Sequence, residues 1–192
     1  MVFWSFEHYP ALRLIGNVHF FRGRSLTPLL ATTDPIAASL PGAVAQWVRL
    51  LNEDTLLLLL HGDLQLATDS LVPLEQFGLG DPQTVRGYRQ NALLTDSGAL
   101  FSSEIRVPVL HVPEVDGLLQ VIPFVDIGYG WNISSLAPEE DILAALGVGA
   151  LWQMGDRFDA RLDIGIPLVN IADEGNSLQE SGIHFTLDYR LF

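Results

Sequence analysis

Apolar and polar positions alternate with a period of two along most of this chain, and helical spacing is scarce. Such alternation predicts strands whose two faces meet different surroundings. It is clearest where Phe158, Ala160, Leu162, Ile164 and Ile166 alternate with Arg157, Asp159, Arg161, Asp163 and Gly165. Near the C-terminus Ile183, Phe185, Leu187, Tyr189 and Leu191 oppose His184, Thr186, Asp188 and Arg190. Further strands are expected over 56–66, 99–107, 118–130 and 142–154. Two weaker ones fall at 11–22 and 43–51, the second with no clear face for Gln46 and Trp47. Between them lie a long connection at 23–42, a short Asn52-Glu53-Asp54 turn and a very long segment at 68–97. A medium connection at 108–117, a long one at 131–141, a short Gly155-Asp156 turn and a long one at 168–180 follow.

The pattern predicts an all-β, antiparallel chain of about eight strands. Several reach about 10 residues, where ordinary strands average about five or six and membrane-spanning strands need about 9–11. Long connections tend to alternate with shorter ones, as in outer-membrane barrels with short turns on one side and long loops on the other. A soluble sandwich or lipocalin-like barrel also fits alternation; strand length and loop parity favour the membrane barrel.

Composition sharpens the choice. The 192 residues carry 23 acidic and 10 basic side chains, a net charge of -13, yet 48% are hydrophobic. Mean hydropathy is +0.28, and every basic residue is Arg. This charge makes nucleic acid a poor partner, because phosphate binding needs a basic face. The longest purely apolar run, Leu56 to Leu60, falls far short of the roughly 20 residues of a spanning helix. One-sided apolar rows reconcile high hydropathy with the lack of such a helix. With no Cys, disulfides and Cys-based zinc sites are excluded. Met1-Val2-Phe3-Trp4, followed by Glu7, has neither a basic start nor a small-residue cleavage site, so no secretory signal is expected here.

Catalytic signatures such as GxSxG, HExxH, a P-loop or GxGxxG are missing, and no enzyme activity, metal or cofactor is expected. The His residues stand singly, His61 and His184 among them on polar strand faces. Glu139-Glu140-Asp141 reads as a solvated charge run, and the Asn132-Ile133-Ser134 sequon carries little weight. The segment 71–95 stands apart. A loop this long without secondary structure is functional or disordered, and this one holds Leu74, Phe77, Leu79, Val85, Tyr88, Leu93 and Leu94, which need burial.

Val85-Arg86-Gly87-Tyr88, preceded by Leu74-Glu75-Gln76-Phe77-Gly78-Leu79-Gly80, resembles the VRGY motif of the haemolysin activator family, the TpsB transporters of two-partner secretion. These belong to the wider superfamily of outer-membrane barrels carrying POTRA domains. Phe124-Val125-Asp126-Ile127-Gly128 resembles the family's F-x-D-x-G, and Leu151 to Val169 resembles its penultimate hairpin. The likeness is good over 43–192 and poor over 1–42.

The resemblance implies a transmembrane β-barrel in which this chain supplies the C-terminal half of roughly 16 strands. The chain would be a single partial barrel domain over 1–192, without POTRA domains or signal peptide, with 68–97 folded into the lumen. It implies an outer-membrane pore component passing an unfolded, haemolysin- or adhesin-like exoprotein to the cell surface. Implied partners are that exoprotein, outer-membrane lipid and the barrel-assembly machinery. Arg86 and Asp126 are the implied pair, with Phe124 and Tyr88 nearby and Gly128 permitting close approach. Tyr189 and Phe192 would form the C-terminal assembly signal, although strict alternation turns Phe192 away from the outward row unless a bulge intervenes. The alternatives are a soluble or self-closed eight-stranded barrel binding a small apolar ligand, and a truncated fragment without independent function. A loop of about 30 residues would not fit inside a barrel of about eight strands, whose interior side chains already fill.

Overall fold

The computed structural model describes residues 2–4, 15–24, 39–51, 56–133, 141–171 and 182–190. Its strands are β1 (Val2–Trp4), β2 (Ile15–Arg24), β3 (Ser39–Leu50), β4 (Leu57–Gln65), β5 (Phe77–Leu79), β6 (Leu93–Thr95), β7 (Ser97–Val112), β8 (Gly117–Trp131), β9 (Ile142–Met154), β10 (Phe158–Pro167) and β11 (Ile183–Tyr189). Nine form one sheet in the order β1-β2-β3-β4-β7-β8-β9-β10-β11, and β5 and β6 form a separate hairpin. Every pairing is antiparallel. The fold is thus all-β, and each sheet neighbour is the next strand in sequence except where the β5–β6 excursion separates β4 from β7.

All eight expected strands are present. The one expected over 11–22 is described from Ile15, and β11 ends at Tyr189. Three connections differ from expectation, the first being 23–42, which is shorter because β2 runs to Arg24 and β3 begins at Ser39. The connection expected over 108–117 is only the 3-10 turn Pro113–Val115 and Asp116, because β7 runs on through Pro108 to Val112. A register shift between Pro108 and Leu110 accommodates the proline, which has no N–H for the ladder. Asp116 closes the turn at φ 48°, the left-handed conformation that Asp tolerates better than most residues. The segment 68–97 is also not structureless, since three-residue β5 and β6 pair within it. From β2 onward, with these corrections, the connections alternate, and the 5–14 connection between β1 and β2 stands outside the pattern. Short turns follow β3, β7 and β9 on one rim of the sheet; long connections follow β2, β4, β8 and β10 on the other.

Register settles the faces of β3. Gln46 pairs with His61 and Trp47 with Leu60, so Gln46 shares the polar, inner face and Trp47 the apolar, outer one. The outer face leaves Phe101, Val125, Ile127, Leu146, Ile164 and Phe185 exposed. The inner face is the covered one: Leu79, Val85, Tyr88 and Leu93 pack from the 66–96 segment onto Leu100, Leu143 and Ala145. A soluble sheet does the reverse and hides its apolar rows. Bare apolar rows about a strand long are what lipid requires. Among the described residues the sheet is open, with β1 and β11 at its edges, so the strands do not form the self-closed eight-stranded barrel of the alternative reading. No described helix is long and apolar enough to cross a membrane, and no described cluster of His, Asp or Glu could hold a metal ion.

Candidate functional site

The 66–96 segment is fastened to the sheet at its root, its hairpin and its tip. At the root, buried Asp96 accepts the N–H groups of Leu71 (2.8 Å) and Ile133 (3.0 Å), and its own N–H donates to Asn132 Oδ1 at 2.8 Å. Gln65 Nε2 donates to the carbonyls of Glu75 (2.9 Å) and Asp96 (3.2 Å). The hairpin lies on glycines of the wall, Phe77 over Gly98 and Thr95 over Gly130, where any Cβ would collide. At the tip, Asp81 Oδ1 accepts the N–H groups of Gln83 (2.7 Å) and Thr84 (2.8 Å), and Gly80 donates to Thr84 Oγ1 at 3.0 Å. Gly-Asp-Pro-Gln-Thr is therefore a self-bonded turn, the chemistry Asp and Gly supply locally. It delivers Val85, Arg86, Gly87 and Tyr88 to the inner face, all four buried.

Each motif residue meets a different part of the wall. Val85 and Leu79 sit above Gly128, where a Cβ would stand 2.7 Å from Leu79 and 2.9 Å from Val85. Arg86 grips Asp126 with its whole fork, Nε to Oδ2 at 2.7 Å and Nη2 to Oδ1 at 2.8 Å, and its backbone N–H adds a third bond to Oδ2 at 3.1 Å. Ser102 Oγ donates to Asp126 Oδ1 at 2.6 Å. The guanidinium carbon lies 3.6 Å from the centroid of the Phe124 ring, a cation–π stack worth about 0.5–2 kcal/mol depending on desolvation. Arg86 Nη1 also reaches Glu104 Oε2 at 3.1 Å and Asp163 Oδ1 at 3.7 Å. Burial works against the Arg86 charge, but the hydrogen bond and charge of Asp126, with Glu104 and Asp163, outweigh it and hold the guanidinium above its ordinary pKa. Gly87, at φ 101°, presses its backbone onto Gly165 of β10, and its N–H points at His184 Nε2 of β11, 3.5 Å away.

Tyr88 closes the row. Its hydroxyl lies 2.8 Å from the carbonyl oxygen of Ala144 on β9 and 2.9 Å from that of Val169 beyond β10, and it accepts the Val169 N–H at 3.1 Å. Tyr88→Phe is expected to cost about 1 kcal/mol. It should appear as a several-fold faster proteolytic nick in the 66–96 segment of an intact barrel. An unchanged digestion rate contradicts the clamp.

The structure brings together Val85 to Tyr88 with Phe124, Asp126 and Gly128. It does not bring Tyr189 there: that ring is on the outer face of β11, exposed. Phe192, the other half of the expected assembly signal, lies outside the described residues, as do Glu139 and Glu140 of the carboxylate run. Sequence reasoning did not assign the second tier. Arg106 holds Glu104 Oε1 through Nη2 (2.8 Å) and Nε (3.0 Å). Arg161 bridges Asp163 (2.7 Å) and Glu104 Oε2 (2.9 Å). Their polar phase was visible, but their meeting depends on the β7 to β10 registers. Short inner-face residues Ala145, Gly147 and Gly149 of β9, between those strands, are the readable hint. Arg86 and Arg161 each serve several acceptors through one planar fork, whereas both Arg106 bonds go to one oxygen of Glu104.

The model of the Haemolysin secretion/activation protein ShlB/FhaC/HecB family matches residues 37–151, more than half of the chain and both motifs. The chain belongs to this family. It is an outer-membrane β-barrel chain of the two-partner secretion class. Among solved structures it is similar to CdiB from Escherichia coli, with a TM-score of 0.65 at 19% sequence identity. The superposition covers 93% of this chain and 33% of CdiB, so the chain spans about a third of that protein's length. At this identity the likeness speaks for the fold. No curated protein matches.

Proposed function

We propose that this chain forms the C-terminal half of a roughly 16-stranded outer-membrane pore that passes an unfolded exoprotein to the cell surface, with the 66–96 segment held inside the lumen by Arg86. Carrying the proposal is the burial of a charged loop tip on the inner face, Arg86 against Asp126, while the outer face is bare and apolar. Toward the short turns, a polar hollow of about 510 Å³ opens beneath the tip, lined by Gln46, His61, Arg106, Arg161, Asp159 and Asp188 among others. Alternating charges and amides there suit an extended polypeptide, whose backbone needs wetting and no fixed sequence. Outer-membrane lipid covers the exposed rows. Tyr189 and Phe192 serve the barrel-assembly machinery as a terminal aromatic signal. The partner is an exoprotein of the two-partner type, and the work is transport, with no chemistry on a substrate.

The test is disruption of the gene beside a co-expressed cognate exoprotein. The exoprotein is expected to vanish from the medium and accumulate before the outer membrane, while in the undisrupted strain the protein fractionates with outer membranes. Undiminished export, with the protein recovered as a detergent-free monomer, contradicts the reading and favours a soluble ligand-binding barrel.

A further inference from the structure

Arg86 and Arg161 compete for the same atoms. Arg86 Nη1 lies 3.1 Å from Glu104 Oε2, and Arg161 Nη2 lies 2.9 Å from that same oxygen. Asp163 Oδ1 is likewise shared, at 3.7 Å from Arg86 and 3.1 Å from Arg161. Arg106 occupies only the other oxygen of Glu104. Asp126 is the exception. It is fully buried, and among the described residues its ion pair is with Arg86.

The cluster is therefore asymmetric toward loss of the loop. With the tip docked, three wall carboxylates face three guanidinium groups. With the tip gone, Arg161 and Arg106 still neutralise Glu104 and Asp163, and only Asp126 is left to water and Ser102. Two of the three attractions on Arg86 are thus diluted by a neighbour that stays on the wall. Like charge beside Arg86 also raises the energy of the docked state.

We infer that Arg161 is a positioning residue that keeps the loop releasable, by taking from Arg86 the two carboxylates they share. This rests on the reading of the 66–96 segment as a docked lock. It places Arg161 opposite in sign to Arg86: loss of Arg86 frees the loop, and loss of Arg161 tightens it. A merely structural arginine in the wall behaves otherwise, since its removal loosens the wall and everything docked on it.

The native protein carrying Val85→Cys supplies the probe. This chain has no cysteine of its own, and Val85 is fully buried when the loop is docked, so maleimide labelling in isolated outer membranes reports release. In this background Arg161→Gln is expected to slow labelling about tenfold, the order expected when one of two charges competing for partly buried carboxylates is removed. Arg161→Lys restores the parent rate. Arg161→Met, which keeps the apolar stem, is read in place of Gln where that variant fails to insert, with the same expected slowing. Labelling at or above the parent rate in the neutral variant that inserts overturns the inference. The lock reading is judged separately by Arg86→Ala, which must label faster than the parent; if it does not, the lock fails, whatever Arg161 does.

Discussion

Arg86→Ala in the native protein is expected to free the loop tip and reduce exoprotein secretion at least tenfold while leaving barrel insertion intact. Among the described residues, removing the guanidinium leaves buried Asp126 with Ser102 and a backbone N–H as donors. Breaking a buried pair from one side costs about 3–5 kcal/mol in a dry interior. The inner face adjoins a wet hollow, so the carboxylate can be rehydrated by letting the loop go. The cost then appears as a shift in docking, roughly a hundredfold at about 3 kcal/mol, and the ladder hydrogen bonds of the sheet are untouched. The Phe124 stack is lost in the same step. Heat-resistant mobility of the barrel on a denaturing gel should therefore match the parent, with secretion the property that falls. Equal secretion contradicts the lock, and loss of the folded band contradicts the separation of lock from wall.

Gly165→Ala is expected to reproduce that phenotype without touching a charge. A Cβ at Gly165 would stand 2.6 Å from the Gly87 nitrogen and 2.7 Å from its Cα. These are backbone atoms, held by the Arg86 grip on one side and the Tyr88 clamp on the other, so no rotamer relieves the clash. Overpacking of this kind costs about 1–3 kcal/mol, and the cheapest relief is again to lift the tip. Gly128→Ala is the internal comparison. Its Cβ would meet only the ends of the Leu79 and Val85 side chains, at 2.7 and 2.9 Å, and those can move. The expected order of secretion is parent, then Gly128→Ala, then Gly165→Ala. Were Gly165→Ala to secrete as well as Gly128→Ala, close backbone approach would not be what seats the tip.

The wall was readable because period-two alternation is a local property. Phe158 to Ile166 and Val121 to Tyr129 declare their faces within a single strand, and the structure keeps those phases. Strand ends were less readable. Pro108 looks like a stop, and only the register shift beside it shows why β7 continues. The β5–β6 hairpin escaped because three residues are too few to show a period. Arg86 and Asp126 were paired through resemblance to a family motif; composition and spacing alone would not have joined residues 40 positions apart. Glu104, Arg106, Arg161 and Asp163 were each assigned to a polar face, yet nothing local says that four strands of register bring them together.

That second tier changes what a test of pairing must be. Were Arg86 bound to Asp126 alone, exchanging the two charges would restore function. With Glu104 and Asp163 beside Arg86, an aspartate at 86 would face two more carboxylates, and the exchange is expected to fail even though the pair is real. A double-mutant cycle avoids this. The decisive measurement is exoprotein released by native protein carrying Arg86→Ala, Asp126→Ala or both, at equal barrel abundance. The account predicts that the double variant secretes no less than the worse single one, because each change removes the same contact. Losses that multiply, as independent sites require, would contradict it.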